Sequence, residues 1–520
     1  MAALLTWGGP AFAQLTDTTQ TFPTVPGGHI NRSVQEQIQA GTGPDHVGGT
    51  SAYFIKRDPA RAIRRGRQIF QRKWTANQGL GPRVNFDGTG DIHANPDLGA
   101  GLSDSCGGCH GRPRGSAGFG GTHNARPDSV DAPHLFGLGL QEMLADEMTT
   151  DLRAIQTQAL IDANAQQIPI VRNLVAKGVF FGYITAFPSG TVDYFGLEGV
   201  DEDLRVKPFT ARGAISSIRE FGVVAMKAEI GLETSDWVLC SATDPVVPIA
   251  MTSLAGFVFD PAVDTFNRPP VCSPVLDGDG DGFINEFDES LLDFLEFYLL
   301  NYFKPALGKQ TTRTAQGETL LNTIGCTNCH VQDMTIDYDR RVADIDTVHD
   351  PVNGIFNRLF ATATTLWMTV PDGQPDPKLL PIGNSFLVEN IYTDFKRHDL
   401  GEAFHERNYD GTLHMEFMTE PLWGVGSTAP YGHDGRSMNL EEVILRHGGD
   451  ALTERNSFVA LTEDDQRKII EFLQTLILFP PDDTASSLNP GNPGMPIQDP
   501  ANHGSVDLSV LFIPSAEGPE

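Results

Sequence analysis

The chain has 520 residues, of which 37 are basic and 67 acidic, so its formal net charge at pH 7 is −30. This length predicts two or three domains, each with its own core. The acidity argues against nucleic acid or an anionic membrane as a partner, because like charges repel. Solubility is the simpler explanation of the charge, and a basic redox partner is the alternative.

The first residues, MAALLTWGGPAFAQ, predict an export signal. A short apolar run ends in Ala11-Phe12-Ala13, the small-x-small pattern of a cleavage site, although the basic residues that usually begin such a signal are missing. We therefore predict a signal peptide over 1–13 and a periplasmic or secreted protein. Residues 14 to about 55 are rich in Gly, Thr and Pro and predict an extended arm, and no later segment is apolar enough to span a membrane.

The first chemical motif follows a predicted helix. The periodicity of 58–74, with Asp58 as N-cap and a proline next to it, predicts a helix. A Gly-rich loop then leads to DSCGGCHGRPRG, which contains Cys106, Cys109 and His110. Cys-x-x-Cys alone suits zinc, disulfide exchange or an iron–sulfur cluster. The added histidine is typical of c-type haem attachment, in which two thiols bind the porphyrin vinyl groups and the imidazole binds iron.

Between this motif and its repeat, the sequence predicts a helix over 144–168 and short strands at 178–185 and 236–240. Cys240 and Cys272 are not part of either motif. In an oxidising compartment an even pair predicts a disulfide, and two free buried thiols are the alternative.

The stretch DGDGDGFINEFDE has the oxygen-ligand spacing of a calcium loop, with Gly282 at the sharp turn. Its twelfth position holds Asp instead of Glu, as in dockerin-type loops. A solvated acidic turn is the alternative, and we expect a structural Ca²⁺ rather than a catalytic one. The predicted ligands are Asp277, Asp279, Asp281, the Phe283 carbonyl, Asn285 and Asp288.

The motif recurs in LNTIGCTNCHVQDM, as Cys326, Cys329 and His330. Repetition argues against a chance match. A zinc site made of all four cysteines is the alternative, but it leaves both histidines without a role. The sequence therefore predicts two covalently bound haem c groups with His110 and His330 as proximal iron ligands.

A helix is predicted over 289–303, and another over 314–330 leads into the second motif. Two more helices are predicted over 439–449 and 462–479, the last with Thr462 as N-cap. From 480 the chain is rich in Pro, Ser and Asn and predicts a tail. The predicted division is an N-terminal haem domain (14–240), an insertion with the disulfide and calcium loop (241–300), a C-terminal haem domain (301–480) and the tail (481–520).

Residues 416–451, which contain Pro-Leu-Trp-Gly and Ala-Pro-Tyr-Gly-His-Asp-Gly, resemble the bacterial di-haem oxidoreductases, relatives of the di-haem cytochrome c peroxidases. Residues 134–146, 325–334 and 461–476 extend the resemblance. It implies a mainly α fold with two cytochrome c-like haem domains and irregular and short β insertions. It also implies redox chemistry on peroxide or dioxygen.

The resemblance also suggests a sixth ligand for the second iron. In the related peroxidases a methionine lies fourteen residues beyond the His of Pro-Tyr-x-His, and counting from His433 gives His447 here. Two imidazoles would make a low-potential haem suited to electron relay. A hydrogen-bonded core histidine is the alternative, and Met415 and Met418 are rival ligands.

The resemblance is weaker for the residues expected on the distal side of the first haem. The family's Arg-Phe-Gly-Trp-Lys-Ala-like segment corresponds best to 207–222, which lacks the Trp. Phe209, Arg212 and Glu220 are the candidate distal residues, because Arg could stabilise an oxygen anion and Glu could carry a proton. Both could equally be surface charges. His123 or His134 could instead close this iron.

The function expected from these features is an exported di-haem oxidoreductase with a reactive first haem and a relaying second haem. Its partners would be a small oxidant and a redox protein or small electron donor. Trp423 could lie between the cofactors, although a packing role is simpler. The alternatives are an electron-transfer cytochrome without enzymatic activity and a di-haem oxygenase that acts on an organic polymer.

Overall fold

The structure is a computed structural model that describes residues 42–81, 103–112, 116–120, 131–278, 280, 282–344, 364–408, 411–478, 512–513 and 518–519. The predicted signal peptide, most of the predicted arm and tail, His123, Asp279 and Asp281 lie outside these residues.

Helix outweighs strand, at 36% against 17%, which is compatible with the predicted mainly α class. The α-helices are Ser51–Arg57, Pro59–Gln71, Cys106–Cys109, Leu138–Gln166, Ile218–Ala225, Trp237–Ala242, Glu289–Leu300, Thr312–Thr323, Leu440–Arg446, Leu452–Ala460 and Glu463–Leu473. A π-helical turn, Met226–Ile230, extends one of them, and 3-10 turns occur at Ala76–Gln78, Cys326–Asn328, Val425–Ser427 and Gly449–Ala451.

The β-structure consists of short antiparallel ladders. One sheet has three strands in the order Ile170–Ala176, Val179–Ala186 and Val192–Leu197. The other ladders are two-stranded, and they pair Met251–Thr252 with Val258–Phe259, Ala306–Leu307 with Leu476–Ile477, Met334–Ile336 with Phe386–Val388, Ala343–Asp344 with Thr364–Thr365, Trp367–Val370 with Lys378–Pro381, Arg397–Asp399 with Glu416–Met418, Glu406–Arg407 with Leu413–His414, and Phe512–Ile513 with Gly518–Pro519.

Capping side chains set several helix starts where the sequence predicts them. Asp58 accepts a hydrogen bond from the Arg61 amide, with Pro59 at the first helical position. Thr462 accepts from the Asp465 amide in the same way. These two predicted N-termini are confirmed, because a cap depends only on residues a few positions apart.

Several boundaries differ from the sequence prediction. The helix predicted over 462–479 ends at Leu473 and is followed by the strand Leu476–Ile477, and the helix predicted over 314–330 ends at Thr323.

Two further differences have a local cause. Residues 236–240, predicted as a strand, begin the helix Trp237–Ala242, since the Asp236 carboxylate accepts from the Leu239 amide and caps it. The predicted strand is wrong because so short an apolar run fits either structure. The helix predicted from 144 begins at Leu138, where Gly137 adopts a left-handed φ of 72° as its N-cap.

Three hydrophobic clusters form the core. The first includes helices Pro59–Gln71 and Glu289–Leu300 and has Cys106 packed against it. The second joins the long helix Leu138–Gln166 to the three-stranded sheet. The third includes helix Glu463–Leu473 and has Cys326 packed against it. The two motifs are therefore supported by different cores.

A disulfide joins Cys240 to Cys272, with Cα atoms 5.6 Å apart. Among the described helices, none combines the length and apolar character needed to cross a bilayer.

Candidate haem sites

The first motif forms one helical turn, Cys106–Cys109. A side chain at Gly107 would approach the Gln71 amide oxygen to within 2.8 Å, so glycine allows the turn to pack against helix Pro59–Gln71. Cys106 and Cys109 do not form a disulfide with each other. Burial raises the pKa of Cys106 to about 12, which keeps its thiol neutral.

His110 is oriented by the backbone of the segment that follows the motif. Its Nδ1 lies 2.7 Å from the Pro133 carbonyl oxygen and donates to it. Burial lowers the pKa of His110, so the imidazole is neutral. With the proton on Nδ1, the lone pair on Nε2 is available to a metal, which is the usual arrangement of a metal-binding histidine.

The second motif repeats this arrangement on other elements. Helix Thr312–Thr323 leads to the 3-10 turn Cys326–Asn328, and His330 follows. His330 Nδ1 lies 3.0 Å from the Tyr392 carbonyl oxygen. Burial lowers the pKa of His330 to about 4, so Nε2 again carries a free lone pair.

His447 is the C-cap of helix Leu440–Arg446. Its Nδ1 lies 2.7 Å from the Val443 carbonyl oxygen, so Nε2 carries the lone pair here too. Burial lowers its pKa. The two imidazoles are close enough that charge on His447 would further lower the pKa of His330. The structure therefore places a second imidazole near the second motif.

The four motif cysteines do not form one site. In the described part of the chain, the single group of three or more residues with metal-ligating atoms in reach of one another is Cys329, Asp394 and His398. A four-cysteine zinc centre is therefore not formed. Burial opposes charge on His398, but hydrogen bonds to Asp394 (2.9 Å) and Cys329 outweigh it and raise its pKa to about 10. Sequence analysis missed this cluster, because nothing in the spacing of Asp394 and His398 distinguishes them from surface residues.

Each of the three predicted distal residues makes contacts of its own. Phe209 is 5% exposed and packs in the first core. Glu220 accepts hydrogen bonds from the Asn267 amide (2.7 Å) and side chain (2.8 Å). Arg212 donates to Glu406 at 2.8 Å. Their distal roles stay predictions.

The turn that contains the Pro-Tyr-x-His segment, residues 430–433, is held by an ion pair and by ring stacking. His433 Nε2 lies 3.0 Å from Glu406, and its ring stacks on Phe417 at 4.0 Å. Burial would raise the pKa of Glu406, but hydrogen bonds from His433 and Arg212 outweigh it and hold the pKa at about 2. The His433 carbonyl also accepts from the Asp131 amide at 2.9 Å. This turn therefore contacts the segment that supports His110.

Two of the rival iron ligands, His134 and Met418, are engaged elsewhere in the protein, and Met415 is exposed. His134 Nδ1 accepts from the Phe136 amide at 3.2 Å and its Nε2 donates to the Trp423 carbonyl at 2.9 Å, so neither nitrogen is free. Met418 is 4% exposed and packs in the second core, whereas Met415 is 45% exposed.

The described part of the predicted calcium loop is held by its own backbone. Asp277 accepts from the amides of Gly280 (2.6 Å) and Gly282 (2.9 Å), and Gly282 has a φ of 97° that favours glycine. Asp288 caps helix Glu289–Leu300 by accepting from the Ser290 amide at 2.9 Å. The buried Asn285 Oδ1 has no hydrogen-bond partner within the described residues, as expected of an oxygen kept for a cation.

The residues around both motifs fit haem. Each has two thiols within one turn and an imidazole whose Nδ1 is bound by a backbone carbonyl, so Nε2 is left for iron. These features are compatible with two separate haem sites on different elements of the fold.

Part of the chain matches a known family model. Residues 340–476 match the family model described as "Di-haem oxidoreductase, putative peroxidase". The match covers the Pro-Leu-Trp and Pro-Tyr-x-His segment, so the family resemblance seen in the sequence is confirmed there; both Cys-x-x-Cys-His motifs lie outside it. No curated protein matches the chain. A solved structure titled "Crystal structure of a MauG-like protein associated with microbial copper homeostasis" aligns over 68% of this chain and 91% of that one, at 13% identity and a TM-score of 0.24.

Proposed function

We propose that the protein is an exported di-haem c-type oxidoreductase. Its first haem, held by Cys106, Cys109 and His110, handles peroxide or dioxygen. Its second haem, held by Cys326, Cys329 and His330, takes His447 as sixth ligand and relays electrons. When bound, each iron supplies one-electron redox chemistry, and the protein determines which iron is open to a substrate.

The observation that carries this division is an asymmetry between the two sites. His447 is near enough to His330 for its charge to lower the pKa of His330, and within the described residues its Nε2 has no hydrogen-bond partner. His134, the imidazole near His110, has both nitrogens in hydrogen bonds to the protein. Among the residues that the structure describes near His110, no second imidazole is therefore available, and this supports an open first iron.

The same proposal includes delivery of electrons by a redox protein or small donor outside the cytoplasm. The two Cys-x-x-Cys-His motifs and the leader-like N-terminus support an extracytoplasmic site.

Haem attachment gives the first test. A denaturing gel of the wild-type protein should stain for haem, and elemental analysis should find iron rather than zinc. Cys106→Ala and Cys326→Ala should each weaken one haem linkage and leave the other haem bound, because the two motifs are supported by different cores.

Cys240→Ala together with Cys272→Ala is the control, since these cysteines form a disulfide outside both sites. Absence of haem stain from the wild type would refute the proposal. Two haems that are both low-spin and inert to peroxide and cyanide would instead indicate an electron-transfer cytochrome.

Calcium binding at Asp277–Asp288 is proposed as a structural role. Chelator should lower the Tm without removing haem, because an empty loop leaves its carboxylates repelling one another. At a free Ca²⁺ concentration of about 100 times Kd, binding would add about 2.7 kcal/mol to the free energy of unfolding. Asp277→Asn should lower the Tm and make it insensitive to chelator. An unchanged melting curve in excess chelator, with no calcium in elemental analysis, would rule the site out.

A further inference from the structure

The two proximal histidines are connected through the backbone of the segments that orient them. On the first side, His110 Nδ1 donates to the Pro133 carbonyl at 2.7 Å. The next residue, His134, donates from Nε2 to the Trp423 carbonyl at 2.9 Å. The peptide bond between Pro133 and His134, together with the His134 side chain, therefore links His110 to the Pro-Leu-Trp turn.

The same turn continues to the second side. Leu422, the neighbour of Trp423, donates its amide to the Ile391 carbonyl at 3.1 Å. The next residue, Tyr392, offers its carbonyl to His330 Nδ1 at 3.0 Å. Each step between these hydrogen bonds runs along adjacent residues of the chain, so the connection from His110 to His330 has no break.

His134 is the one side chain in the middle of this connection, and its tautomer is fixed by its neighbours. Because Nδ1 accepts from the Phe136 amide at 3.2 Å, the ring proton must be on Nε2, where it reaches Trp423. Burial lowers the pKa of His134 to about 4, which keeps the ring neutral and this tautomer in place.

Glycine makes this approach possible. Gly424 has a φ of 85°, and a Cβ there would lie 2.8 Å from His134 Nε2. Gly137 has a φ of 72°, and a Cβ there would lie 2.5 Å from the Trp423 ring. The close contact between His134 and the Trp423 backbone thus depends on two positions that lack side chains.

We propose that His134 is a positioning residue for electron transfer between the two haem sites, because it completes the hydrogen-bonded connection through the Trp423 carbonyl. Electrons tunnel more readily along covalent and hydrogen bonds than across gaps, since orbital overlap falls more slowly there. One electron leaves one haem site and arrives at the other, no bond is formed or broken, and every N–H keeps its proton. This role presupposes two haems and so rests on the proposed function.

The test uses the haem-loaded protein. A single electron is introduced by pulse radiolysis, and its redistribution between the two haems is followed optically. His134→Phe keeps an aromatic ring but removes the donor, and we expect redistribution to slow roughly tenfold because the electronic coupling between the haem sites is weakened. His134→Gln, whose amide can donate, should restore most of the rate, and the potentials of both haems should stay unchanged.

His405→Phe is the matched control. Its imidazole is also half-buried and hydrogen-bonded, to Asp399 at 2.7 Å, but it lies outside the connection. A redistribution rate in loaded His134→Phe equal to that of wild type would overturn the role of His134. Slowing in Trp423→Phe but not in His134→Phe would also overturn it, because the indole would then carry the coupling.

A measurement on the unmodified protein covers the case in which His134→Phe does not fold. In the reduced wild type, nitrogen NMR should show His134 protonated on Nε2 alone. A proton on Nδ1 would overturn the proposal. Absence of haem from the wild type would refute the proposed function instead, so the two failures are distinct.

Discussion

Replacing His447 by alanine should convert the second haem from a low-spin to a high-spin or water-ligated state. His447 is near enough to His330 for its charge to lower the pKa of His330, and its Nδ1 is held by the Val443 carbonyl at 2.7 Å, so Nε2 carries the lone pair. If His447 is the sixth ligand as proposed, loss of the imidazole opens that coordination position. His447→Met should keep the iron six-coordinate and raise its potential, because thioether sulfur favours Fe(II) more than imidazole does.

Absorption and electron paramagnetic resonance spectra check this expectation. His433→Ala is the control, because the His433 ring is occupied by Glu406 at 3.0 Å and by the stack on Phe417. We expect it to lose stability and keep the low-spin signal. If His447→Ala retains all of its low-spin haem, His447 is a hydrogen-bonded core residue and the proposed division between the haems is wrong.

The second large effect is expected at Arg219, which is inaccessible to solvent. Its guanidinium donates to Asp236, Asp293 (2.9 Å) and Glu296 (2.8 Å), and all three carboxylates are buried. Arg219→Met leaves these charges without a cation and should destabilise the fold by about 3–5 kcal/mol, the usual cost of an uncompensated buried charge. Chemical denaturation of the haem-loaded protein measures it.

Arg313→Met is the matched control. Arg313 also pairs with two carboxylates, Asp464 (3.0 Å) and Glu471 (2.9 Å), but its side chain is 43% exposed. Solvent screens such pairs, so we expect little change. Equal loss of stability in both variants would show that burial of the Arg219 cluster is not what makes it important.

The buried carboxylates around Arg219 should make the free energy of unfolding decrease as pH rises. A fourth carboxylate, Glu289, lies 3.7 Å from the Arg219 guanidinium. Burial raises the pKa of Asp293 to about 6 and that of Glu289 to about 8, even with Arg219 nearby. Between their ordinary values and these raised values the folded chain holds protons that the unfolded chain has released, so these groups favour folding most at low pH. The contribution of Asp293 is lost as pH rises through about 6 and that of Glu289 through about 8. Asp293→Asn should reduce the fall in the free energy of unfolding as pH rises through about 6, which chemical denaturation at several pH values measures. The same pH dependence in the variant and the wild type would contradict this expectation.

Local features were predictable because their causes are local. The caps at Asp58 and Thr462 and the single turn from Cys106 to Cys109 each depend on neighbouring residues, and the structure has them. The strand predicted at 236–240 failed because a short apolar run does not choose between strand and helix, and the cap from Asp236 decided it.

The surroundings of the two motifs were not predictable. The carbonyls of Pro133 and Tyr392, which orient the proximal histidines, belong to residues with no chemical signature. The ion pair between His433 and Glu406 joins residues that are distant in sequence. The Cys329–Asp394–His398 cluster likewise joins residues whose types and spacing carry no signal. Such contacts depend on how whole elements pack.

By itself, the sequence determined where the candidate chemistry lies: in two Cys-x-x-Cys-His motifs and in a family segment that extends over 416–451. Side-chain identity and spacing along the chain are enough for that, because a dithiol and an imidazole act together within one turn. Only the tertiary structure decided which imidazoles are free and which are occupied. His447 keeps an open Nε2 whereas His134 is held on both nitrogens, because a histidine's partners are supplied by segments that folding brings next to it.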